Sequence, residues 1–230
     1  MIHVIRRLLI FMVTFIPFSG YSTEEIKHRQ VLNIESQILG ETREIIVHLP
    51  DGYNVTGQGF PVLYITDGEV HGTHTAGTLD YLAKSDQIPN MILVAITNPR
   101  HLRTRDLTLP KKSEKQVTSG ADHFLKFIEL EVMPFIQSRF ETLDYQALAG
   151  TSHGGQFAIN AFIKRPGLFD GVIAISPSLY WNNNQLLQLS EQALAKHRLR
   201  GRLYLSIANE QATMTKPFYK FVNMLRDEQN

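Results

Sequence analysis

The amino-acid sequence predicts a three-layer α/β sandwich, in which helices cover both faces of a mostly parallel β-sheet. Short apolar runs of strand length alternate along the chain with longer segments whose apolar residues recur at helical spacing. The runs lack the polar alternation of a half-exposed strand, which is typical of parallel strands buried on both faces. No internal repeat or low-complexity linker divides the chain. Its 230 residues therefore suit one domain with a sizeable core.

The predicted sheet begins with an antiparallel pair of strands, Val31–Leu39 and Arg43–Leu49. Both runs are rich in residues that favour strands, and the connection Gly40-Glu41-Thr42 has the composition of a turn. Five short apolar runs then predict the parallel part of the sheet. In chain order they are Pro61–Thr66, Met91–Thr97, Tyr145–Ala149, Gly171–Ser176 and Arg202–Ala208.

Helices are predicted between these runs and after the last one, over residues 74–84, 120–139, 154–164, 184–197 and 214–227. We expect the residues Asn182 to Asn184 to cap the fourth helix. The fifth carries one apolar face, made by Met214, Phe218, Phe221, Val222 and Leu225. The segment from Pro99 to Ser119 is long, polar and basic, and we predict a functional loop there.

Charge and composition exclude several classes of function. The chain has 23 Lys plus Arg against 22 Asp plus Glu and no block of basic residues, which argues against binding to nucleic acid. Without cysteine it can form no disulfide, no Cys-ligated zinc site and no thiol nucleophile. His28, His48, His101 and His123 show no spacing typical of a metal site. We therefore expect no metal and no cofactor, and the sequence does not indicate an oligomeric state.

The first 22 residues predict a secretory signal peptide. Arg6 and Arg7 precede an apolar run from Leu8 to Phe18, and Gly20 and Ser22 stand at the positions that a signal peptidase reads. The run is too short to span a bilayer, which needs roughly 20 residues. We expect cleavage after Ser22, no stable membrane insertion afterwards, and a mature domain over residues 23–230 in the periplasm or outside the cell.

The pentapeptide Gly150-Thr151-Ser152-His153-Gly154 carries the chemistry that the sequence predicts. A G-x-S-x-G motif between a strand and a helix forms a tight turn that exposes the serine hydroxyl above the sheet. Here Tyr145–Ala149 predicts the strand and 154–164 the helix, which puts Ser152 at a strand's carboxyl end. The alternative is a structural glycine turn. We predict that Ser152 is a nucleophile, which needs a histidine base and an acid that orients the base.

Two backbone amides are predicted to form an oxyanion hole. One belongs to His153, the residue after the nucleophile, and the other to the loop Asp67-Gly68-Glu69 that follows the third strand. Gly68 would let the backbone approach a substrate closely, and Asp67 is predicted to contact the substrate. The alternative for Asp67-Gly68 is an ordinary turn.

The acid and the base are predicted from chain order, which in this fold runs Ser, then Asp or Glu, then His. Glu210 follows the last strand at its carboxyl end and is the first choice for the acid, whereas Asp170 precedes its strand. His197 comes before Glu210, so the chain offers no histidine in the expected place. We expect the His153 side chain to pack beside the site. The histidines at 71 and 74 are candidates for substrate contacts or for a displaced base.

Five ordered motifs resemble the putative-esterase family of α/β hydrolases, which includes the enterobactin and other ferric-siderophore esterases and is related to S-formylglutathione hydrolases. They are PVLYITDGE, RTRDLTLP, AGTSHGG, ISPSLYW and YLSIANE. The resemblance covers about Val31 to Asn230 and implies a serine esterase acting on a small-molecule ester. It also implies that Arg103, Arg105 and Trp181 line the substrate mouth, where an arginine could hold an anionic group through two hydrogen bonds.

The sequence departs from that family in two places. Members usually continue into another strand, a loop with the catalytic histidine and a final helix, so we expect this chain to be C-terminally incomplete and weakly active. Leu109 interrupts the usual threonine-proline ending of the RDLTP motif. Two alternatives stay open, a binding protein that has lost the chemistry and an acyltransferase that shares the acyl-enzyme.

Overall fold

A computed structural model describes residues 28–53, 57–110, 120–195 and 199–227. The predicted signal peptide and His197 lie outside the described residues. The strands are β1 Arg29–Ser36, β2 Glu41–His48, β3 Phe60–Ile65, β4 Ile92–Ile96, β5 Thr142–Thr151, β6 Gly171–Ile175 and β7 Arg202–Ser206. The helices are α1 Gly68–Lys84, α2 Arg100–Leu107, α3 Ala121–Phe127, α4 Met133–Gln137, α5 His153–Lys164, α6 Trp181–Leu194 and α7 Ala212–Asp227, with a π-helical turn at Ile128–Val132.

The seven strands form one sheet in the order β1-β2-β4-β3-β5-β6-β7. β1 pairs with β2 and β2 with β4 in antiparallel fashion, while the other pairs are parallel. The prediction of a mostly parallel sheet with an antiparallel N-terminal pair is therefore confirmed. The carboxyl ends of β3 to β7 meet at one edge of the sheet, where sites in open α/β sheets lie.

Apolar residues cover the two faces of the sheet unequally. One face carries the larger core, where Phe124, Phe127 and Phe157 from the helices pack on inward residues of the strands. The other face carries a smaller cluster of Ile46, Leu63, Ile65, Leu93, Ala95 and Ala147. Of the described helices, α1 is the one that packs on this second face. Helices on both faces make the predicted three-layer sandwich.

Three predictions about helices differ from the structure. The first predicted helix, 74–84, begins earlier, at Gly68, because its first turn packs closely against β4. Part of the segment predicted as a loop is helix α2, whose polar residues are held by ion pairs rather than by an apolar face. The residues Asn182 to Asn184 interrupt the start of α6 with a left-handed, non-helical backbone instead of capping it, and each has a positive φ that asparagine tolerates.

Candidate active site

Ser152 occupies the sharp turn between β5 and α5, at the carboxyl edge of the sheet. Its φ of 60° and ψ of −115° lie in a region that costs on the order of 1–3 kcal/mol for a residue with a side chain. The flanking glycines allow the chain to fold this tightly. A Cβ on Gly150 would lie 2.3 Å from the backbone of Gly154, and a Cβ on Gly154 would lie 2.3 Å from Thr66 Oγ1. The motif thus folds into the tight turn that its sequence predicts.

Hydrogen bonds to the loop after β6 hold this turn in place. The Ser152 N–H donates to the Ile175 carbonyl at 3.0 Å, and the Ser178 N–H donates to the Ser152 carbonyl at 3.1 Å. The hydroxyls of Ser152 and Ser178 lie 3.2 Å apart. Ser178 is only 1% exposed, and among the described residues its side chain is the one that bonds the Ser152 hydroxyl. Sequence reasoning missed it, because a single loop serine carries no periodic signal.

Asp67 is an anchor for Arg103 at the end of β3. It is 2% exposed with a left-handed backbone, φ 55°. Its carboxylate accepts hydrogen bonds from Arg103 Nε at 2.6 Å and Nη2 at 3.0 Å. Its N–H donates to Asn98 Oδ1 at 2.9 Å. The pair uses two of the five guanidinium N–H groups, so Arg103 keeps those of Nη1 and one of Nη2 for the anionic group that the resemblance implied.

Position 68 requires glycine for a reason other than the predicted approach to a substrate. A Cβ there would lie 2.5 Å from the carbonyl carbon of Ala95 and 2.9 Å from the N of Ile96. The close approach is therefore between α1 and β4 rather than towards a substrate. The predicted loop Asp67-Gly68-Glu69 is in fact the first turn of α1. Its amides lie where a helix N-terminus offers unpaired donors, and the oxyanion role of Gly68 stays a prediction.

His153 begins α5, so its N–H has no acceptor within its own helix. Its half-buried side chain packs edge-on against Trp181, with 4.7 Å between ring centroids and a 74° interplanar angle. Nδ1 is buried and has no hydrogen-bond partner among the described residues. Burial lowers the pKa of His153, and the positive charge of Arg103 lowers it further. Both effects favour the neutral imidazole. No hydrogen bond joins its side chain to the Ser152 hydroxyl, which lies against Ser178.

Arg105, predicted at the substrate mouth, is committed to a cluster of charges beneath α2. Its Nη2 and Nη1 donate to Glu41 at 2.6 and 3.2 Å, and its Nε donates to Asp106 at 2.9 Å. Asp106 also pairs with the buried Arg43, at 2.5 Å. All three guanidinium nitrogens of Arg105 are thus occupied, and its observed contacts fix α2 against β2.

Glu210 follows β7 at the same edge of the sheet. Its side chain is half-buried, and Oε2 is shielded from solvent with no hydrogen-bond partner among the described residues. A buried carboxylate oxygen without a partner is costly, and a donor such as an imidazole N–H would remove that cost. The position suits the predicted acid.

The other candidate histidines do not reach Ser152. On α1, His71 Nδ1 and His74 Nε2 form a hydrogen bond of 2.9 Å with each other. Within the part of the chain that the structure describes, no histidine bonds the Ser152 hydroxyl, and no three side chains form a group that could hold a metal ion. The same part contains no helix with the length and apolarity to cross a bilayer.

Comparisons with known proteins agree that this chain is similar to esterases and related hydrolases. The sequence model described as "Putative esterase" matches residues 36–219. The siderophore triacetylfusarinine C esterase of Aspergillus fumigatus is 40% identical over 139 residues, which are 56% of this chain and 48% of that protein. The match thus spans about half the length of that curated relative.

Two solved structures have the same fold. An IroE-like serine hydrolase from Shewanella oneidensis is 31% identical with a TM-score of 0.79, over 87% of this chain and 70% of that one. The siderophore hydrolase EstB from Aspergillus nidulans is 24% identical with a TM-score of 0.76, over 86% and 83% of the two chains. At 24% identity, the likeness to EstB shows a shared fold alone.

Proposed function

The chain belongs to the putative esterase family of α/β hydrolases, and we propose that it is a serine-dependent carboxylic-ester hydrolase. The observation that carries the proposal is Ser152, held with a positive φ on a glycine-flanked turn at the carboxyl edge of the sheet. A residue kept in a costly conformation at such an edge favours a functional role over a structural one.

The proposed reaction follows from the groups around this turn. Ser152 Oγ attacks the ester carbonyl, and the amides of His153 and Gly68 stabilise the negative charge on the carbonyl oxygen. The alcohol leaves with a proton, and water then cleaves the acyl-enzyme to release the acid and restore the hydroxyl. Glu210 orients the histidine that moves these protons. No described residue supplies that histidine.

For the substrate we propose a siderophore ester, supported by the likeness to the siderophore esterase of Aspergillus fumigatus. Arg103, which is 30% exposed, would offer Nη1 to an anionic group at the mouth of the site. Trp181 beside His153 would form an apolar wall. We also propose that residues 1–22 direct export and are removed, which N-terminal sequencing of the exported protein would test.

A fluorophosphonate probe tests the proposal directly, because it reacts with an activated serine. Without a described base, we expect slow labelling at Ser152 and none in Ser152→Ala. Ser190→Ala is the matched control, since Ser190 is a buried serine on α6 that donates to the Leu186 carbonyl. Fast stoichiometric labelling would show that a base acts on Ser152. No labelling would contradict the nucleophile.

The unassigned base favours a second candidate, a binding protein that keeps the pocket without the chemistry. It predicts saturable binding of a siderophore ester with no release of acid, whereas the esterase predicts both. Calorimetric titration alongside an assay of acid release separates the two. Transfer of the acyl group to an added alcohol would instead indicate an acyltransferase.

A further inference from the structure

A hollow of about 810 Å³ lies between α1 and the β1-β2-β4 side of the sheet. Its floor is one cross-strand row, in which Arg29 pairs with His48 and His48 pairs with Leu93. Leu93 stands near the start of β4, while the nucleophile turn lies at the edge where the parallel strands end. The hollow is therefore separate from the candidate active site, and its volume is in the range of small-molecule sites.

One face of α1 forms the wall of the hollow, and Gly77 stands in the middle of that wall. A Cβ at this position would meet no atom within 4 Å, so packing does not require glycine. Glycine in a helix interior is also a weaker helix former than alanine. Because Gly77 has no side chain, the space next to it stays part of the hollow.

Positive charge without a partner lies on the floor. Arg29 makes no ion pair with any described residue, whereas Asp51 and Asp80, which also line the hollow, both pair with Lys84 at 3.1 and 2.8 Å. The neighbouring His48 has a buried Nε2 with no hydrogen-bond partner among the described residues. Lys84 is committed to two carboxylates, whereas the exposed guanidinium of Arg29 makes no ion pair with a described residue and suits an anionic group.

Part of the remaining lining is apolar, beside the polar residues His28, Thr73 and Asn90. Ala76, Leu79, Met91 and Leu93 supply a hydrocarbon surface next to these polar groups. We propose that the hollow binds a small carboxylate with an aromatic or aliphatic body. The carboxylate accepts hydrogen bonds from Arg29, and the body packs on the methionine and the leucines. This site does not depend on the proposed esterase activity.

Calorimetric titration of the full chain with benzoate and with hexanoate tests the proposal. We expect saturable binding of at least one of the two, and much weaker binding of the neutral benzamide. Arg29→Gln should weaken binding about tenfold or more, as expected when a hydrogen bond to a charged group is lost. Arg202→Gln is the matched control, an exposed arginine at the start of β7, and should bind like the unchanged chain.

Substitutions at Gly77 locate the ligand. Gly77→Leu should fill the wall and abolish binding, whereas Gly77→Ala should keep it and raise the melting temperature. Circular dichroism checks that each variant is folded. The absence of saturable binding of either carboxylate, equal binding in Arg29→Gln or Gly77→Leu, or equally tight binding of inorganic phosphate would each overturn the proposal. None of these measurements involves Ser152, so failure here leaves the esterase proposal intact.

Discussion

Gly154 sets how closely the turn at Ser152 approaches the end of β3, and a methyl group at this position should disrupt that contact. In Gly154→Ala the new Cβ would lie 2.3 Å from Thr66 Oγ1. We expect a loss of about 1–3 kcal/mol in the free energy of unfolding, as for other overpacked cores. Urea unfolding measures it.

Removing the opposing hydroxyl should relieve the same strain. In Thr66→Ala/Gly154→Ala the nearest remaining atoms would be Asp67 Oδ2 at 3.4 Å and the Cβ of residue 66 at 3.5 Å, which are ordinary contacts. Thr66 Oγ1 has no hydrogen-bond partner among the described residues, so its loss alone should cost little. The double variant should be more stable than Gly154→Ala, and simple additivity of the two changes would contradict the steric explanation.

Two half-buried histidines should make stability depend on pH. Burial lowers the pKa of both His48 and His153 from the ordinary value of 6.5. Between each lowered pKa and 6.5 the unfolded chain binds more protons than the folded one, so stability rises with pH across this window. We expect a loss of stability as the pH falls below 6.5, levelling off below the lowered pKa values.

Urea unfolding across this pH range measures the effect, and His48→Gln and His153→Gln should each reduce it. His101→Gln, at an exposed position of α2, is the control and should leave the pH dependence unchanged. A slope that survives replacement of both half-buried histidines would mean that other groups cause it.

Asn98 links three elements beneath the candidate site, namely β3, β4 and α2. It is 0% exposed; its Oδ1 accepts from the Asp67 N–H at 2.9 Å, and its Nδ2 donates to Asp106 Oδ2 at 3.2 Å. Asn98→Asp would place a second carboxylate against Asp106, and we expect a loss of about 3–5 kcal/mol, as for other unbalanced buried charges.

The exchanged pair Asn98→Asp/Asp106→Asn should recover part of that loss. The new aspartate still accepts from the Asp67 N–H, and the new asparagine donates to it from the position of Oδ2 while its oxygen accepts from Arg105 Nε. Recovery is partial because Arg43 Nη2, which donates to the same Oδ2, loses that acceptor. Guanidinium chloride unfolding gives the stabilities, and amide exchange at Asp67 reports whether its N–H stays protected. Equal stability of the single and exchanged variants would show that the network does not hold these elements together.

The π-helical turn between α3 and α4 brings Glu131 to the β1–β2 hairpin. Its Oε1 accepts from the N–H groups of Gln37 and Ile38 at 2.9 and 3.0 Å, and its Oε2 accepts from the Ser36 hydroxyl at 2.5 Å. Pro134 has no N–H for the carbonyl four residues earlier, which favours a wider turn at this point.

Glu131→Ala should therefore leave the hairpin turn without its acceptor. We expect a loss of about 1.5–3 kcal/mol, the usual value for hydrogen bonds to a charged group. Thermal unfolding measures it. Glu191→Ala, an exposed glutamate on α6, is the control and should lie near the unchanged chain. Equal melting temperatures for the two variants would contradict this role for Glu131.

The strands could be predicted from the sequence to within a few residues. β3 and β4 are short apolar runs that the sheet buries on both faces, while β1 and β2 are rich in residues that favour strands. The start of α1 could not be predicted, because the turn after Asp67 carries two glycines and two histidines and lacks an apolar period. Helix α2 was missed for a related reason, since its basic residues are stabilised by Asp67 and Glu41, which lie 36 and 64 positions away.

Some residues of the candidate site could likewise be predicted from local sequence, and others could not. Ser152 could be predicted because its turn is set by glycines next to it in sequence. Local patterns do not encode the order of strands in the sheet. That order brings Ser178 to the Ser152 hydroxyl and Asp67 to Arg103.

At the scale of the whole molecule, the described helices leave half of one sheet face open. α1 packs on β4, β2 and β3, while the same face of β5, β6 and β7 exposes large apolar side chains. Leu143, Tyr145, Ile175 and Tyr204 share that face by strand register and are 51%, 43%, 40% and 61% exposed. Exposed apolar side chains on one face of a sheet are typical of interaction surfaces, and parallel sheets are normally covered on both faces.

We therefore expect this chain to self-associate through the open face as its concentration rises. Tyr204→Lys and Leu143→Lys should each shift the sedimentation profile towards the monomer, because a lysine ammonium is costly to bury against an apolar surface. Val70→Lys is the matched control, since Val70 is 64% exposed on α1 but lies outside the open face. A monomer at all concentrations, or an equal effect of Val70→Lys, would show that the open face does not drive association.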